Sequence, residues 1–238
     1  MIQKFKSYVS SFEKNKRIDL KYSHSLRVMI ISEDLARGLN LTEEEVNISK
    51  FIGLMHDYGR FYQWNKYNTF DDSISFDHAD YGAKLLFDDG DINNYDIDYK
   101  YYDIIYDAIR YHNKYSIGDE VKDRLQCEII RDSDKLDIMY MYTAKILKLK
   151  EDGKVSSKVN EDFFNHKLII HKYKKSSYDV IVGILSFIYD MNFIQSFEYL
   201  YCNDIIYKIY NLLDDKEKMK IYFDEANNYI KERMLKKC

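Results

Sequence analysis

The stretch Phe51-Ile-Gly-Leu-Met-His-Asp-Tyr-Gly-Arg60 sets an ionisable pair, His56 and Asp57, into an apolar run. An unpaired charge among buried apolar side chains costs several kcal/mol, so such a pair is expected to be neutralised by a partner or by a metal ion. A histidine nitrogen beside a carboxylate oxygen supplies half of a divalent-metal site. We predict the other half from His24 upstream and Asp134 downstream, each on a stretch with helical hydrophobic spacing.

Helical periodicity recurs along the chain, whereas the alternation typical of strands does not. Apolar residues follow His24 at helical spacing, which predicts a helix around it. Thr42 with Glu45 has the form of a capping box, which predicts that a second helix starts there and leads to His56. Gly59 is expected to end that helix. Further helices are predicted around the other chemistry-bearing residues, namely His78, His112 and the segment 125–142.

The fold class that these patterns predict is all-α. A polar stretch, residues 151–158, is the best internal seam. We therefore expect a catalytic core over residues 1–150 and a helical extension, packed on that core, over residues 151–238. The extension carries an aromatic stripe that predicts core packing or a face for homo-oligomer formation, made of Phe187, Phe193, Phe197 and Tyr201.

Composition describes an ordinary globular chain. Hydrophobic residues make up 46% and charged residues 32% of the 238 residues, with a net charge of −4. This mildly acidic balance argues against broad nucleic-acid binding, which needs a basic face. The N-terminus has no apolar signal-peptide segment, and the longest apolar run, 180–189, is too short to span a membrane. A cytoplasmic protein is expected, with three scattered reduced thiols, Cys127, Cys202 and Cys238.

Four of the six histidines lie on or beside the apolar faces of four predicted helices, namely His24, His56, His78 and His112. Any one of them is as readily a hydrogen-bonded core residue as a ligand. Together with Asp57 and an acidic pair, Asp132 and Asp134, they could converge on one point of a helical bundle. Histidine and carboxylate ligands without thiolate suit a divalent Mn, Fe, Co, Ni or Zn ion.

Three segments together resemble the spaced H…HD…D signature of the HD-domain metal-dependent phosphohydrolase superfamily, namely Ser23-His-Ser-Leu-Arg-Val28, His56-Asp-Tyr-Gly-Arg60 and Asp132-Ser-Asp-Lys-Leu-Asp137. The segment 185–197 looks like the C-terminal part of a group of uncharacterised bacterial HD-domain proteins. The resemblance implies an HD-domain helical bundle with a first metal bound by His24, His56, Asp57 and Asp134. Helical spacing alone leaves Asp132 open as the last ligand; the resemblance favours Asp134, because a basic residue and a leucine follow it.

His78 and His112 fall where two-metal HD proteins place additional ligands, and Asp57 would then bridge the two ions. Some two-metal members have a paired histidine where this chain has His112 followed by Asn113. The number of ions, one or two per chain, therefore stays open. With one ion, the two histidines would contact a phosphate or donate a proton.

The predicted function is hydrolysis, by metal-activated water, of a phosphate ester of a nucleotide or a small phosphorylated metabolite. Arg60 is the first choice for a phosphate clamp and Arg27 the second, because the guanidinium fork suits phosphate oxygens. Weaker candidates for that contact are Lys114 and Lys135. The carboxylates expected to orient the ligating imidazoles are Asp80 and Asp137.

Two other classes of function stay open. One is a non-catalytic metal-binding signalling module, and the other is an HD-fold di-iron oxygenase, which needs both His78 and His112 as ligands. Cleavage of cyclic dinucleotides is disfavoured, because that type carries a Gly-Tyr-Pro tripeptide and this chain has no proline. Aromatic residues near the predicted site could stack on a base or sugar, although packing is their commoner role; they are Tyr22, Tyr58, Phe61, Tyr62 and Trp64.

Overall fold

The computed structural model describes residues 1–235, and no strand occurs among them. The all-α prediction is thus confirmed. The helices of the N-terminal part are α1 (Ile2–Val9), α2 (Lys16–Gly38), α3 (Glu43–Met55), α4 (Tyr58–Tyr67), α5 (His78–Phe87), α6 (Tyr102–Tyr111) and α7 (Arg124–Thr143). Those that follow are α8 (Ser157–Phe164), α9 (Ser177–Leu185), α10 (Ile194–Cys202), α11 (Ile205–Asn211) and α12 (Lys216–Leu235).

The chain divides into two compact units, and the boundary between them falls inside α7, between Asp134 and Lys135. The polar stretch 151–158 lies within the second unit. The boundary between a core of residues 1–150 and an extension of residues 151–238 stays a prediction. None of the helices in the described residues is long and apolar enough to cross a membrane.

Side-chain caps position the helices of the first unit. Asn15 accepts hydrogen bonds from the first backbone amides of α2. The predicted capping box is present at the start of α3, where Glu45 Oε2 accepts from the Thr42 amide at 2.8 Å and Thr42 Oγ1 accepts from the Glu45 amide at 3.3 Å. Asp77 caps α5 by accepting from the Ala79 amide at 2.9 Å. Each cap defines the start of a helix that carries a candidate ligand or leads directly to one.

The predicted helix end at Gly59 is wrong. Helix α3 ends at Met55, His56 and Asp57 form the turn that follows, and Gly59 lies in the first turn of α4. Its lack of a side chain serves a helix contact instead, because a Cβ there would collide with the His78 carbonyl oxygen and lie 2.9 Å from the Gly82 amide nitrogen. This close approach brings α5, and with it His78, next to Asp57.

A second glycine allows α3 to lie directly against α2. A Cβ on Gly53 would lie 2.7 Å from Ser32 Oγ and 2.9 Å from Met29 Cα. The contact brings the end of α3 toward the middle of α2, where His24 lies. Around these crossings the first unit buries an aromatic and aliphatic core that includes Phe5, Phe51, Leu54, Phe61 and Leu86.

In the second unit, a buried carboxylate links two segments of the chain by hydrogen bonds. Asp179, buried near the start of α9, accepts hydrogen bonds from the Ser156 amide at 2.7 Å and from the Ser156 hydroxyl at 2.6 Å. In the predicted aromatic stripe Phe197 is buried whereas Tyr201 is 54% exposed, so only part of the stripe is core; homo-oligomer formation stays a prediction. Cys127 is a buried thiol and Cys202 an exposed one, and Cys238 lies outside the described residues.

Candidate metal centre

Two histidines meet in the interior of the first unit, where α2 and α3 are in contact. His24 comes from α2 and His56 from the turn after α3, and both are buried. Their Nε2 atoms lie 3.2 Å apart. His56 Nδ1 lies 2.8 Å from the Gly53 carbonyl oxygen, which can only accept, so this ring nitrogen is the donor. The hydrogen bond turns His56 Nε2 toward His24.

Two carboxylates complete this first group, which we define as His24, His56, Asp57 and Asp134. Asp57 Oδ2 lies 3.5 Å from His24 Nε2 and 3.4 Å from His56 Nε2. Asp134 Oδ1, from α7, lies 3.1 Å from His24 Nε2 and 3.7 Å from His56 Nε2. Two imidazole nitrogens and two carboxylate oxygens therefore converge, which is a ligand set for a divalent ion.

The second group is His78 from α5, His112 at the end of α6, and again Asp57. The Nε2 atoms of the two histidines lie 3.0 Å apart. The other oxygen of Asp57, Oδ1, lies 3.4 Å from His78 Nε2 and 4.0 Å from His112 Nε2. Asp57 thus presents one oxygen to each pair of histidines.

The proton positions on the second pair follow from their partners. His78 Nδ1 lies 2.7 Å from Asp72 Oδ2, and His112 Nδ1 lies 2.6 Å from the Ile109 carbonyl oxygen. Burial lowers the pKa of both imidazoles, that of His112 well below its usual range, so both are neutral at pH 7. Each Nδ1 carries the proton that it donates. Each Nε2 consequently points a lone pair at the other, an arrangement that suits a cation between them.

The carboxylates of the two groups are ionised. Burial by itself would raise the pKa of Asp57, but the Lys21 ammonium and the His56 imidazole hold that pKa well below its usual range. Asp134 behaves in the same way, because the hydrogen bond with His24 and the nearby His56 outweigh burial and lower its pKa. Ionised carboxylates and neutral imidazoles are the protonation states that metal binding requires.

The choice between the two acidic residues of α7 is resolved by distance. Within the described residues, three groups have ligand atoms that all lie within 4.8 Å of one another, namely His24–His56–Asp134, His56–Asp57–His112 and Asp72–Asp77–His78. Asp132 is also buried but belongs to none of them. Asp134 is therefore the α7 carboxylate that reaches the cluster.

Lys21 is a member of the site that the sequence patterns did not indicate. Its Nζ lies 2.6 Å from Asp57 Oδ2, and the side chain is 19% exposed. The available signal was its spacing, since Lys21 precedes His24 by three residues and shares its side of α2. It places a cation between the first group and solvent.

Asp72 is the second site member that the sequence patterns did not indicate, and it lies in the loop between α4 and α5. Its Oδ2 accepts from His78 Nδ1, and its Oδ1 accepts from Arg60 Nη1 at 2.7 Å and from Gln63 Nε2 at 2.8 Å. Burial alone would raise the pKa of Asp72, but the His78 hydrogen bond and the Arg60 charge lower it. The carboxylate that orients His78 is thus Asp72 and not Asp80, which pairs with Arg110 at 3.1 Å. Asp137 is buried in α7.

The predicted phosphate clamps occupy different settings. Arg60 Nη1 donates to Gln63 Oε1, the Phe70 carbonyl oxygen and Asp72 Oδ1, while its Nε lies 3.5 Å from Asp57 Oδ1. Arg60 therefore holds the loop to the metal cluster. Arg27 lies half-buried on α2, one turn beyond His24. A phosphate contact by either arginine stays a prediction.

The two lysines named as weaker candidates are engaged in ion pairs. Lys114 Nζ lies 2.6 Å from Asp77 Oδ2 and 3.0 Å from Asp80 Oδ2, at the start of α5. Lys135, in the second unit, lies 2.8 Å from Asp190. Neither distance indicates a role in the metal groups.

An all-α first unit in which buried histidines converge with Asp57 and the partly exposed Asp134 defines a candidate divalent-metal protein. The chain matches the family model of the HD domain over residues 22–139, a span that contains every member of both groups. The protein therefore belongs to the HD-domain superfamily, whose members are generally metal-dependent phosphohydrolases and bind divalent metals. No curated protein and no solved structure matches the chain.

Proposed function

We propose that this protein is a metal-dependent phosphohydrolase that cleaves a phosphate ester of a nucleotide or a small phosphorylated metabolite. The observation that carries the proposal is the position of Asp57, whose two oxygens face two separate pairs of histidine Nε2 atoms. A carboxylate placed in this way suits a bridge between two ions, and two-metal sites clamp both the attacking and the leaving oxygen of a phosphoryl group.

The residues that would hold the metals follow from the two groups. His24, His56, Asp57 and Asp134 would bind one divalent ion, and Asp57 with His78 and His112 would bind the second. Nitrogen and carboxylate donors without thiolate favour Mn, Fe, Co, Ni or Zn. A bound divalent ion lowers the pKa of coordinated water from about 16 toward about 7 and withdraws charge from a phosphoryl oxygen.

The protein's own side chains prepare this site in three ways. Asp72 and the Ile109 carbonyl oxygen hold the Nδ1 protons of His78 and His112, which keeps both Nε2 lone pairs directed inward. Arg60 ties the loop that carries Asp72 to the cluster. Lys21 offers an ammonium beside Asp57 that can donate to a phosphate oxygen and can leave the carboxylate when a metal arrives.

The di-iron oxygenase alternative uses the same two groups of ligands, so it is tested alongside hydrolysis. Elemental analysis of the purified, unchelated protein should give close to two divalent ions per chain. Phosphate release should then be measured across a panel of phosphomonoesters and phosphodiesters, with Asp57→Ala as the inactive comparison and His166→Ala as the matched surface control. His166 bonds to Glu225 in the second unit and takes no part in either group.

Loss of both metal and phosphate release in Asp57→Ala, with neither lost in His166→Ala, is the expected result. Full activity in Asp57→Ala would overturn the site. Two irons with visible absorption and no phosphate release would favour the oxygenase. Stable metal without turnover of any ester would favour the signalling module.

A further inference from the structure

The loop between α4 and α5 is attached to the metal cluster through its polar atoms. Arg60 Nη1 donates to the Phe70 carbonyl oxygen at 2.6 Å and to Asp72 Oδ1 at 2.7 Å. Asp72 in turn accepts from His78 Nδ1. The position of the Phe70 ring therefore depends on the same hydrogen bonds that orient a candidate metal ligand.

Phe70 and Trp64 form an aromatic pair with cations on its sides. Their ring centroids lie 4.9 Å apart at an interplanar angle of 43°. The Lys21 Nζ lies 5.6 Å from the Phe70 centroid, and the Arg17 Cζ lies 5.8 Å from the Trp64 centroid. Both distances are within the range of cation–π attraction. The Arg60 Cζ also lies 5.9 Å from the Phe70 centroid, so three cations lie beside the aromatic pair. Two of them, Lys21 and Arg60, also approach Asp57.

These residues run outward from the metal cluster along one side of α2. Arg17, Lys21 and His24 follow at helical spacing, so Arg17 lies about 10 Å along the helix from the ligand His24. At the Arg17 end Trp64 forms a wall of an open cavity of about 460 Å³, a size typical of small-molecule sites. The cavity is also lined by Glu13, Asn15, Lys16, Asn65 and Asn68.

We propose that Trp64, Phe70, Arg17 and Lys21 form a base-binding subsite, so that the substrate is a nucleotide whose phosphate lies at the metal groups. The inference rests on the proposed phosphohydrolase function and names its substrate class. Aromatic faces stack on any nucleobase, and cations beside them favour the attached phosphate. Lys21 connects the metal groups with the aromatic pair, because its ammonium lies between Asp57 and the Phe70 ring. The Asn65 and Asn68 amides of the cavity add donors and acceptors for the edge of a base.

Trp64 is the single tryptophan of the chain, so its fluorescence reports on this subsite directly. The zinc-loaded protein should be titrated with a nucleoside monophosphate and, separately, with ribose 5-phosphate. The nucleotide should change the Trp64 emission saturably, whereas ribose 5-phosphate at the same concentrations should not. Equal responses to both ligands, or none to the nucleotide, would overturn the subsite.

Substitutions separate stacking from folding. Trp64→Leu should raise KM for the nucleoside monophosphate by roughly tenfold, the scale of one lost base stack, and by far less for ribose 5-phosphate. Trp64→Phe should restore most of the loss because it keeps a ring. Tyr67→Leu is the matched control, since Tyr67 is a 41% exposed aromatic residue near the end of the same helix. An equal rise in KM for both esters in Trp64→Leu would contradict the proposal.

The two proposals fail in different ways. Efficient phosphate release from ribose 5-phosphate, without preference for the nucleotide or change in Trp64 emission, would remove the base subsite and leave the phosphohydrolase. A saturable Trp64 response to the nucleotide, without phosphate release from any ester, would remove the phosphohydrolase and support the subsite.

Discussion

His78 Nε2 and His112 Nε2 lie 3.0 Å apart, and neither carries a proton that could join them. Each ring donates its Nδ1 proton elsewhere, and burial lowers the pKa of both imidazoles. Two facing lone pairs repel, and Asp57 Oδ1 adds a negative charge 3.4 Å from His78 Nε2. A divalent ion held by His78, His112 and Asp57 would offset this repulsion, which is why the second group bears most directly on the number of metals.

The first prediction concerns that number. His112→Ala should reduce the metal content from two ions per chain to one, because it removes a ligand of the second group and leaves the first group complete. Phosphate release should fall by roughly tenfold or more, the scale of a damaged metal site. Elemental analysis and the phosphate assay measure both. His166→Ala should retain two ions, and equal metal contents in the two variants would argue against the second group as a metal site.

The second prediction concerns Asp72. Asp72→Asn should weaken binding of the second ion by roughly 10- to 100-fold, because an amide holds the His78 Nδ1 proton less well than a carboxylate does. Calorimetric titration of the chelator-treated protein with zinc measures the change. Asp80→Asn removes a carboxylate from the same part of the chain that pairs with Arg110 and Lys114. A larger loss of affinity in Asp80→Asn than in Asp72→Asn would reverse the assignment.

The third prediction concerns pH. An imidazole proton competes with a metal, and a pKa lowered below the usual 6.5 weakens that competition. Zinc affinity of the second group should therefore change little as the pH falls from about 7.5 to about 6.5, and should decline only in more acidic solution. Competition with a chelating dye across this range tests the point. A loss of affinity of about threefold by pH 6.5, the result of two imidazoles that are each half protonated at an ordinary pKa of about 6.5, would show that His78 and His112 titrate as ordinary histidines.

The fourth prediction concerns the helix contact that carries His78. Gly59→Ala should lower the free energy of unfolding by about 1–3 kcal/mol, because its methyl group meets a backbone carbonyl oxygen that cannot turn aside. Urea denaturation measures this, and zinc binding should weaken in parallel. Gly118→Ala is the control, since the three atoms nearest to an added Cβ there belong to the Glu120 carboxylate, the far end of a flexible side chain. Similar losses in the two variants would remove the special role of Gly59.

The fifth prediction concerns Lys21. Its ammonium competes with a metal for Asp57 Oδ2, so Lys21→Met should tighten zinc binding while raising KM for phosphate esters. The metal-free variant should also be less stable, because the buried Asp57 charge loses its partner. Titration, thermal unfolding and steady-state kinetics separate these effects. Weaker zinc binding together with an unchanged KM would show that Lys21 only supports the fold.

The sequence was sufficient to predict the fold class and to name the residues that the structure brings together in the two groups, because those predictions depend on local spacing. Helical periodicity around His24 and the capping box at Thr42 are properties of neighbouring residues, and the structure contains both helices. The HD resemblance, based on three short segments, is confirmed by the family match over residues 22–139. Metal binding by the individual residues stays a prediction.

Predictions from local sequence patterns failed where the role of a residue depends on a partner that is distant along the chain. Gly59 has the form of a helix end, yet it lies inside α4, because it makes room for the His78 carbonyl oxygen. Asp72 and Lys21 lie outside the HD signature. Lys21 has one local signal, its spacing three residues before His24 on the same side of α2, whereas nothing local distinguishes Asp72 from a solvated charge. Their roles come from the loop that Arg60 holds and from the side of α2 that faces Asp57.

By itself the sequence determined which chemical groups are available, that they lie on or beside helices, and that the candidate metal donors are nitrogen and carboxylate oxygen. Only the tertiary structure decided between Asp132 and Asp134. Residues two apart on a helix point about 200° away from each other, so their spacing cannot say which one faces a given neighbour. That depends on how α7 packs against α2 and α3, and Asp134 is the residue that this packing brings 3.1 Å from His24.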